Sequence, residues 1–158
     1  MITVKINGEE RQYPQGATYE DVANDYQKEY DNLIALAARD GKIRELFKKL
    51  TRDCEITFFT LKDDVGNKTY VRSATMLFLK AVFDVFGRET VQNCRVEFAI
   101  GNGSYISPKG KINATEENAA KIRNRMRELV EAKTPFLKKS YSLDNAMELF
   151  RREGMKDK

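Results

Sequence analysis

The chain has no histidine and only two cysteines among its 158 residues. Without histidine, neither a Cys-His nor a Ser-His dyad can form, and the usual zinc ligand sets are incomplete. Cys54 and Cys94 are far apart and lack CxxC spacing, so we expect ordinary core or surface thiols. The chemistry left open is that of carboxylates, lysines or tyrosines, or no catalysis.

Long apolar runs are absent as well. No window approaches the roughly 18 consecutive apolar residues of a transmembrane helix, and the start MITVKINGEE does not have the pattern of a signal peptide. We therefore expect a cytoplasmic protein with no membrane contact. The net charge of +4 permits an anionic partner without requiring one, because 24 acidic residues are interspersed with 28 basic ones.

Residues 1–61 have the pattern of a small mixed domain. Alternating apolar residues over 2–6, an Asn-Gly turn signal and a returning segment predict a β-hairpin. Thr18, with Asp21 three residues later, predicts the start of a helix that runs to about Glu29. Three short strands are then predicted, over residues 33–38, 43–47 and 55–60.

This order resembles the ubiquitin-like β-grasp domain called TGS, found at the front of threonyl-tRNA synthetases, certain GTPases and stringent-response enzymes. The helix start Thr18–Ala23 and the terminal strand over residues 55–60 carry the resemblance. Because β-grasp folds mostly bind partners and rarely catalyse, the resemblance implies an interaction module.

Residues 62–68 are predicted to be a polar linker with a turn at Gly66-Asn67, and residues 69–158 a second α+β domain. Its expected order is a helix ending before Gly87, strands over 91–100 and from Tyr105, a helix over 115–132, a strand over 136–139 and a helix over 142–152. On the helix over 115–132, the apolar side chains expected to face the interior are Ala119, Ile122, Met126, Leu129 and Val130. On the helix over 142–152, they are Leu143, Ala146, Met147, Leu149 and Phe150.

The second domain resembles the start of the second additional domain, the editing domain, of threonyl- and alanyl-tRNA synthetases. In that family the first helix opens with His-Ser-x-x-x-His-Leu-Leu, and a hairpin carries a Gly-Phe-Tyr-Tyr motif. The corresponding segments here are Arg72–Phe78 and Ile100–Tyr105, with Arg72 and Met76 in the places of the two histidines. The family's later cysteine-histidine pair would lie beyond Lys158. The resemblance therefore implies a truncated editing domain without its catalytic groups.

The same tandem occurs ahead of the P-loop domain of bacterial uridine-kinase-like nucleoside kinases, with the histidines lost. Our leading interpretation is therefore a non-catalytic binding or regulatory region of such a kinase. The chain has no Gly-x-x-x-x-Gly-Lys-Ser/Thr motif. ATP and Mg²⁺ would then bind to the parent's own C-terminal kinase domain, which would also be the partner of this region. One alternative is a diverged tRNA-binding or trans-editing module related to threonyl-tRNA synthetase, and another is a protein-interaction module.

Two groups of residues are candidate binding sites, and no residue is predicted to be catalytic or to bind a metal. A nucleotide or other ligand is predicted to bind between the helix of Arg72 and the hairpin, at Arg72, Ser73, Met76, Asn102, Ser104 and Tyr105. The alternative is that Met76 belongs to the core, Arg72 is solvated or ion-paired, and the glycines only form a turn.

The second group would bind the phosphates of RNA, such as tRNA, and consists of Lys121, Arg125, Lys138 and Lys139. The alternative is a solvated helix face, because acidic residues are interleaved with these cations. Those acidic residues are Glu116, Glu117, Glu128 and Glu131.

Overall fold

The computed structural model of the chain describes residues 1–101, 103–108 and 113–154. It divides into two compact units, Met1–Ala74 and Thr75–Lys158, each of which is described by itself. None of the helices in the described residues is both long and apolar enough to cross a membrane.

The first unit is built on a five-stranded mixed sheet with the strand order β2-β1-β5-β3-β4. The central strand β5 runs parallel to β1 and antiparallel to β3, while the β1–β2 and β3–β4 pairs are antiparallel. Its elements are β1 (Ile2–Ile6), β2 (Glu9–Tyr13), α1 (Tyr19–Tyr26) with a 3₁₀ turn over Gln27–Glu29, β3 (Ile34–Arg39), β4 (Lys42–Arg44) and β5 (Cys54–Thr60).

Local sequence signals account for these elements. Asn7 and Gly8 both have positive φ, 52° and 88°, as a tight hairpin turn requires. Thr18 and Asp21 form a capping box: the Thr18 amide donates to the Asp21 carboxylate over 2.7 Å, and the Asp21 amide donates to the Thr18 hydroxyl over 3.1 Å. One face of α1 is then buried against the sheet, through Tyr19, Val22, Ala23 and Tyr26.

The helix α2 (Asp64–Phe86) begins in the first unit and ends in the second. The remaining elements of the second unit are α3 (Arg88–Asn93), β6 (Cys94–Ile100), β7 (Gly103–Pro108), α4 (Glu116–Glu131) and α5 (Leu143–Arg152). Strands β6 and β7 form a two-stranded antiparallel sheet. Among the described residues of this unit, the buried hydrophobic side chains are Ala81, Val82 and Leu129. Both units mix helices and strands, in agreement with the predicted α+β class.

The turn predicted at Gly66-Asn67 is wrong, because both residues lie in the first turns of α2. Gly66 is needed for close packing instead, because it has no side chain. A Cβ atom at this position would lie 2.0 Å from the carbonyl oxygen of Thr60, so glycine lets the start of the helix approach the end of β5. Residues 45–47, predicted as strand, form a turn after β4.

Two predicted strand segments of the second unit are also wrong. Val91 lies in the short helix α3, where its amide donates to the Gly87 carbonyl over 3.4 Å. Residues 136–139 form no strand, because no strand of the described residues pairs with them. The sequence pattern also predicts a loop over residues 107–111. Ser107 and Pro108 lie in β7 instead, and residues 109–111 lie outside the described residues.

The predicted inward faces of the last two helices are wrong at five positions, one of which is the exposed Ala119. Val130, Leu143, Met147 and Phe150 are 61%, 75%, 50% and 37% exposed. The apolar stripes are present on α4 and α5, but nothing in the described part of the chain covers these four side chains. Periodicity identifies an apolar face and does not identify its partner.

We predict that Gly66→Ala lowers the free energy of unfolding by about 1–3 kcal/mol, because the new methyl group must displace the backbone of Thr60. Urea unfolding followed by circular dichroism would measure the change. The control is Asn67→Ala at the next, exposed helical position, which we expect to stay within about 0.5 kcal/mol. Because alanine normally favours a helix over glycine, a Gly66→Ala variant as stable as the wild type would contradict this packing.

Candidate functional site

The face of α2 that carries the predicted ligand residues is exposed. Met76 is 61% exposed, so the alternative that places it in the core is wrong, and Arg72 one turn earlier is exposed as well. Ser73 is half-buried, and its hydroxyl donates to the Thr69 carbonyl of its own helix over 3.1 Å. This part of α2 presents a cation and a thioether, and neither group can take a proton from water at neutral pH.

The hairpin β6–β7 presents an aromatic pair. Tyr105 lies opposite Phe98 in the strand register, and their rings stack with centroids 5.2 Å apart. Ser104 and Tyr105 are both exposed, and Asn102 lies outside the described residues. The ligand pocket predicted between Arg72 and this hairpin would involve both units, and it stays a prediction.

A cavity of about 590 Å³ lies within the second unit. Its wall combines α2, β7 and the first turns of α4, and is mostly apolar. Its lining includes Phe78, Val82, Cys94, Ser104, Ile122 and Met126. Of the predicted ligand residues that the structure describes, Ser104 lines the cavity, whereas Arg72, Met76 and Tyr105 do not. A cavity of this size and composition suits a small, largely apolar ligand.

Sequence reasoning assigned two of these wall residues, Ile122 and Met126, to the core face of a helix. An amphipathic stripe has the same pattern whether it meets packed side chains or the wall of a cavity, so no sequence signal separates the two. Burial raises the pKa of the Cys94 thiol. The thiol is therefore protonated at neutral pH and is a weak nucleophile.

The cations predicted to bind RNA on α4 are largely engaged with carboxylates. Lys121 pairs with Glu117 at 2.7 Å, and Arg125 donates to Asp84 at 2.9 Å and to Glu128 at 2.8 Å. A hydrogen bond from Lys80 lowers the pKa of Asp84, and so does a hydrogen bond from Arg125. Asp84 thus connects α2 to α4, and the RNA role of Lys121 and Arg125 stays a prediction. The RNA role of Lys138 and Lys139, which lie outside any helix, stays a prediction.

No protein-family model matches the chain. The chain is 29% identical to the threonine–tRNA ligase of Thermotoga maritima over 160 residues. It is 28% identical to that of Maricaulis maris and 26% identical to that of Carboxydothermus hydrogenoformans, each over 155 residues.

Each of these matches includes 98% of the chain and 24% of the relative, so the chain spans about a quarter of the length of the curated relatives it matches. The similarity supports a relation to the N-terminal region of threonyl-tRNA synthetases. None of these relatives is a nucleoside kinase, and they lend no support to the predicted kinase parent.

We predict that Arg125→Ala destabilises the protein, because Asp84 then loses one of its two cationic partners. The urea midpoint should fall below that of the control Arg127→Ala, an exposed cation on the same helix. Because the pKa of Asp84 is lowered in the folded state, its contribution is present above the ordinary carboxyl pKa of about 3.9 and is lost as the pH falls through the folded-state value.

The difference between Arg125→Ala and the wild type should therefore be largest near neutral pH and shrink below about pH 4. Equal midpoints for Arg125→Ala and Arg127→Ala at neutral pH would show that the ion pairs on Asp84 do not stabilise the fold.

Proposed function

We propose that this chain is a tRNA-binding module related to the N-terminal region of threonyl-tRNA synthetases, and that it does not hydrolyse the ester of an aminoacyl-tRNA. The observation that carries the proposal is the similarity itself, which extends over 98% of the chain and so includes both units in order. The absence of histidine supports the non-catalytic part.

The first unit, in this proposal, is a β-grasp domain of the TGS type. Three features support the assignment: the β1–β2 hairpin at the start, the single helix α1 packed on the sheet, and the parallel pairing of β1 with the last strand β5. The binding role of such a domain is an inference by analogy with the fold.

The second unit is, in this proposal, an editing-type scaffold without a base. By this resemblance, Arg72 and Met76 occupy the positions that are histidines in editing domains. The guanidinium of Arg72 stays charged at every physiological pH, and the thioether of Met76 has no proton-accepting nitrogen. Binding of tRNA without turnover is the expected result, and the cytoplasm is the compartment that we assign to it.

We expect the chain to bind unmodified tRNA for threonine in a fluorescence anisotropy titration, with an affinity that falls as the salt concentration rises from 50 to about 200 mM. The same protein should leave the deacylation rate of seryl- and threonyl-tRNA at the rate measured in buffer. Absence of tRNA binding at low salt would refute the binding proposal, while ester hydrolysis above the buffer rate would refute its non-catalytic part.

Isothermal titration with uridine and with ATP distinguishes this proposal from the kinase-associated interpretation. We expect no heat of binding from either compound, because the proposed partner is RNA. Saturable binding of uridine with no binding of tRNA would favour the kinase-associated interpretation.

A further inference from the structure

The positive charge of the chain is concentrated in one short stretch. Residues 39–52 contain six basic and two acidic side chains, a net charge of +4, which equals the net charge of all 158 residues. The rest of the chain is therefore balanced. The basic residues of this stretch, called here the 39–52 surface, are Arg39, Lys42, Arg44, Lys48, Lys49 and Arg52.

The backbone of the 39–52 surface is firmly held. Strand β4 is the edge of the sheet, and the turn after it is joined to the start of α1. The amide of Tyr19 donates to the Lys48 carbonyl over 3.0 Å, and the amide of Leu50 donates to the Ala17 carbonyl over 2.8 Å. Leu50 itself is 2% exposed and anchors the stretch in the core. The surface is thus ordered before any partner arrives.

Three of the basic residues lie on one side of the sheet. Arg39 lies directly opposite Lys42 in the β3–β4 register, and Arg44 follows two residues later on the same side of the sheet. Burial raises the pKa of the Tyr19 hydroxyl, and the charges of Arg39 and Arg44 act against this rise. The Arg39 guanidinium donates to the Thr51 hydroxyl over 2.9 Å. That of Arg44 donates to the Ile43 carbonyl over 2.8 Å.

Two of the basic residues, Lys42 and Lys49, form no ion pair within the described part of the chain. Arg52 pairs with Asp40 at 2.9 Å and Lys48 with Glu45 at 3.0 Å. Lys42 and Lys49, in contrast, have no carboxylate within 4.0 Å among the described residues, and both are exposed. They differ in this from Lys121 and Arg125 of α4, which are neutralised by neighbouring carboxylates.

Phe47, between Arg44 and Lys48 in the sequence, is exposed. So is Ile43, which lies on the other side of β4 from Lys42 and Arg44. Phe47 is 56% exposed and Ile43 is 50% exposed. An exposed aromatic ring between cations is typical of surfaces that bind unpaired RNA, because the cations contact phosphates and the ring stacks on a base. A purely electrostatic surface for an acidic peptide does not need the ring.

We propose that the 39–52 surface binds an unpaired segment of RNA, with Lys42 and Lys49 on phosphates and Phe47 stacked on a base. The proposal rests on the proposed function, since it names the surface through which the chain would hold tRNA. It places the main RNA contact in the first unit, and not on the candidate residues Lys121, Arg125, Lys138 and Lys139 of the second unit.

The test measures the binding of tRNA and of a 12-nucleotide uridine RNA by fluorescence anisotropy at several salt concentrations. For the double variant Lys42→Ala/Lys49→Ala, we expect the slope of log affinity against log salt to fall by about 1.4, since each phosphate contact with a single strand contributes about 0.7. For Phe47→Ala, we expect an affinity loss of about tenfold with an unchanged slope.

The matched control is Arg127→Ala/Arg152→Ala, which removes two exposed cations from the second unit, neither of them a candidate RNA ligand. We expect this control to bind both RNAs within about threefold of the wild type, because it retains the whole 39–52 surface. Unchanged urea midpoints would show that all of these variants are folded.

Each remaining outcome is decisive. If the wild type binds tRNA and the first-unit variants bind it equally well, the 39–52 surface is refuted and the proposed function stands. If the wild type binds neither tRNA nor the uridine RNA, both are refuted. If a polyglutamate peptide binds as tightly as RNA and Phe47→Ala has no effect, the surface binds acidic partners and the RNA proposal is overturned.

Discussion

The first unit depends on the pairing of β5 with two neighbours of opposite direction. This strand is parallel to β1 and antiparallel to β3, and it therefore joins the two ends of the chain segment into one sheet. Alternate residues of β5, Ile56 and Phe58, are buried in the core beneath α1. Burial of each such large side chain stabilises the fold by roughly 1.5–3 kcal/mol.

That pairing also positions the 39–52 surface, which we propose to bind RNA. Strand β4 is attached to the sheet through β3, and β3 is attached through β5. The tilted contact between Tyr26 and Phe58, with ring centroids 6.1 Å apart, ties α1 to the same strand. The sheet edge and the start of α1, which both hold the 39–52 surface, therefore depend on contacts with β5.

The second unit contrasts with this arrangement. Its two-stranded sheet is exposed along β6, and its buried side chains in the described residues are few. A cavity lies where α2, β7 and α4 meet, and Asp84 links α2 to α4 through charge. A hairpin with few buried contacts is only weakly stable by itself. The first unit therefore has the larger buried core, and it carries the surface that we propose to bind RNA.

The sequence predicted what is decided locally. The Asn7-Gly8 turn and the Thr18–Asp21 capping box follow from backbone preferences of a few neighbouring residues, and both are present. The strand over residues 136–139 and the burial of Val130 depend on distant partners, which periodicity cannot supply. The cavity has no sequence signal for the same reason. The 39–52 surface was within reach of the sequence, because counting charge by segment finds it.

The central claim is that this chain holds RNA through its first unit. Photo-crosslinking to tRNA that carries 4-thiouridine in its unpaired 3′ end, followed by mass spectrometry of the crosslinked peptides, tests it most directly. We expect crosslinks within residues 39–52, with Phe47 or a neighbouring residue as the crosslinked side chain. Crosslinks confined to residues 121–139 of the second unit, or none at all, would contradict it.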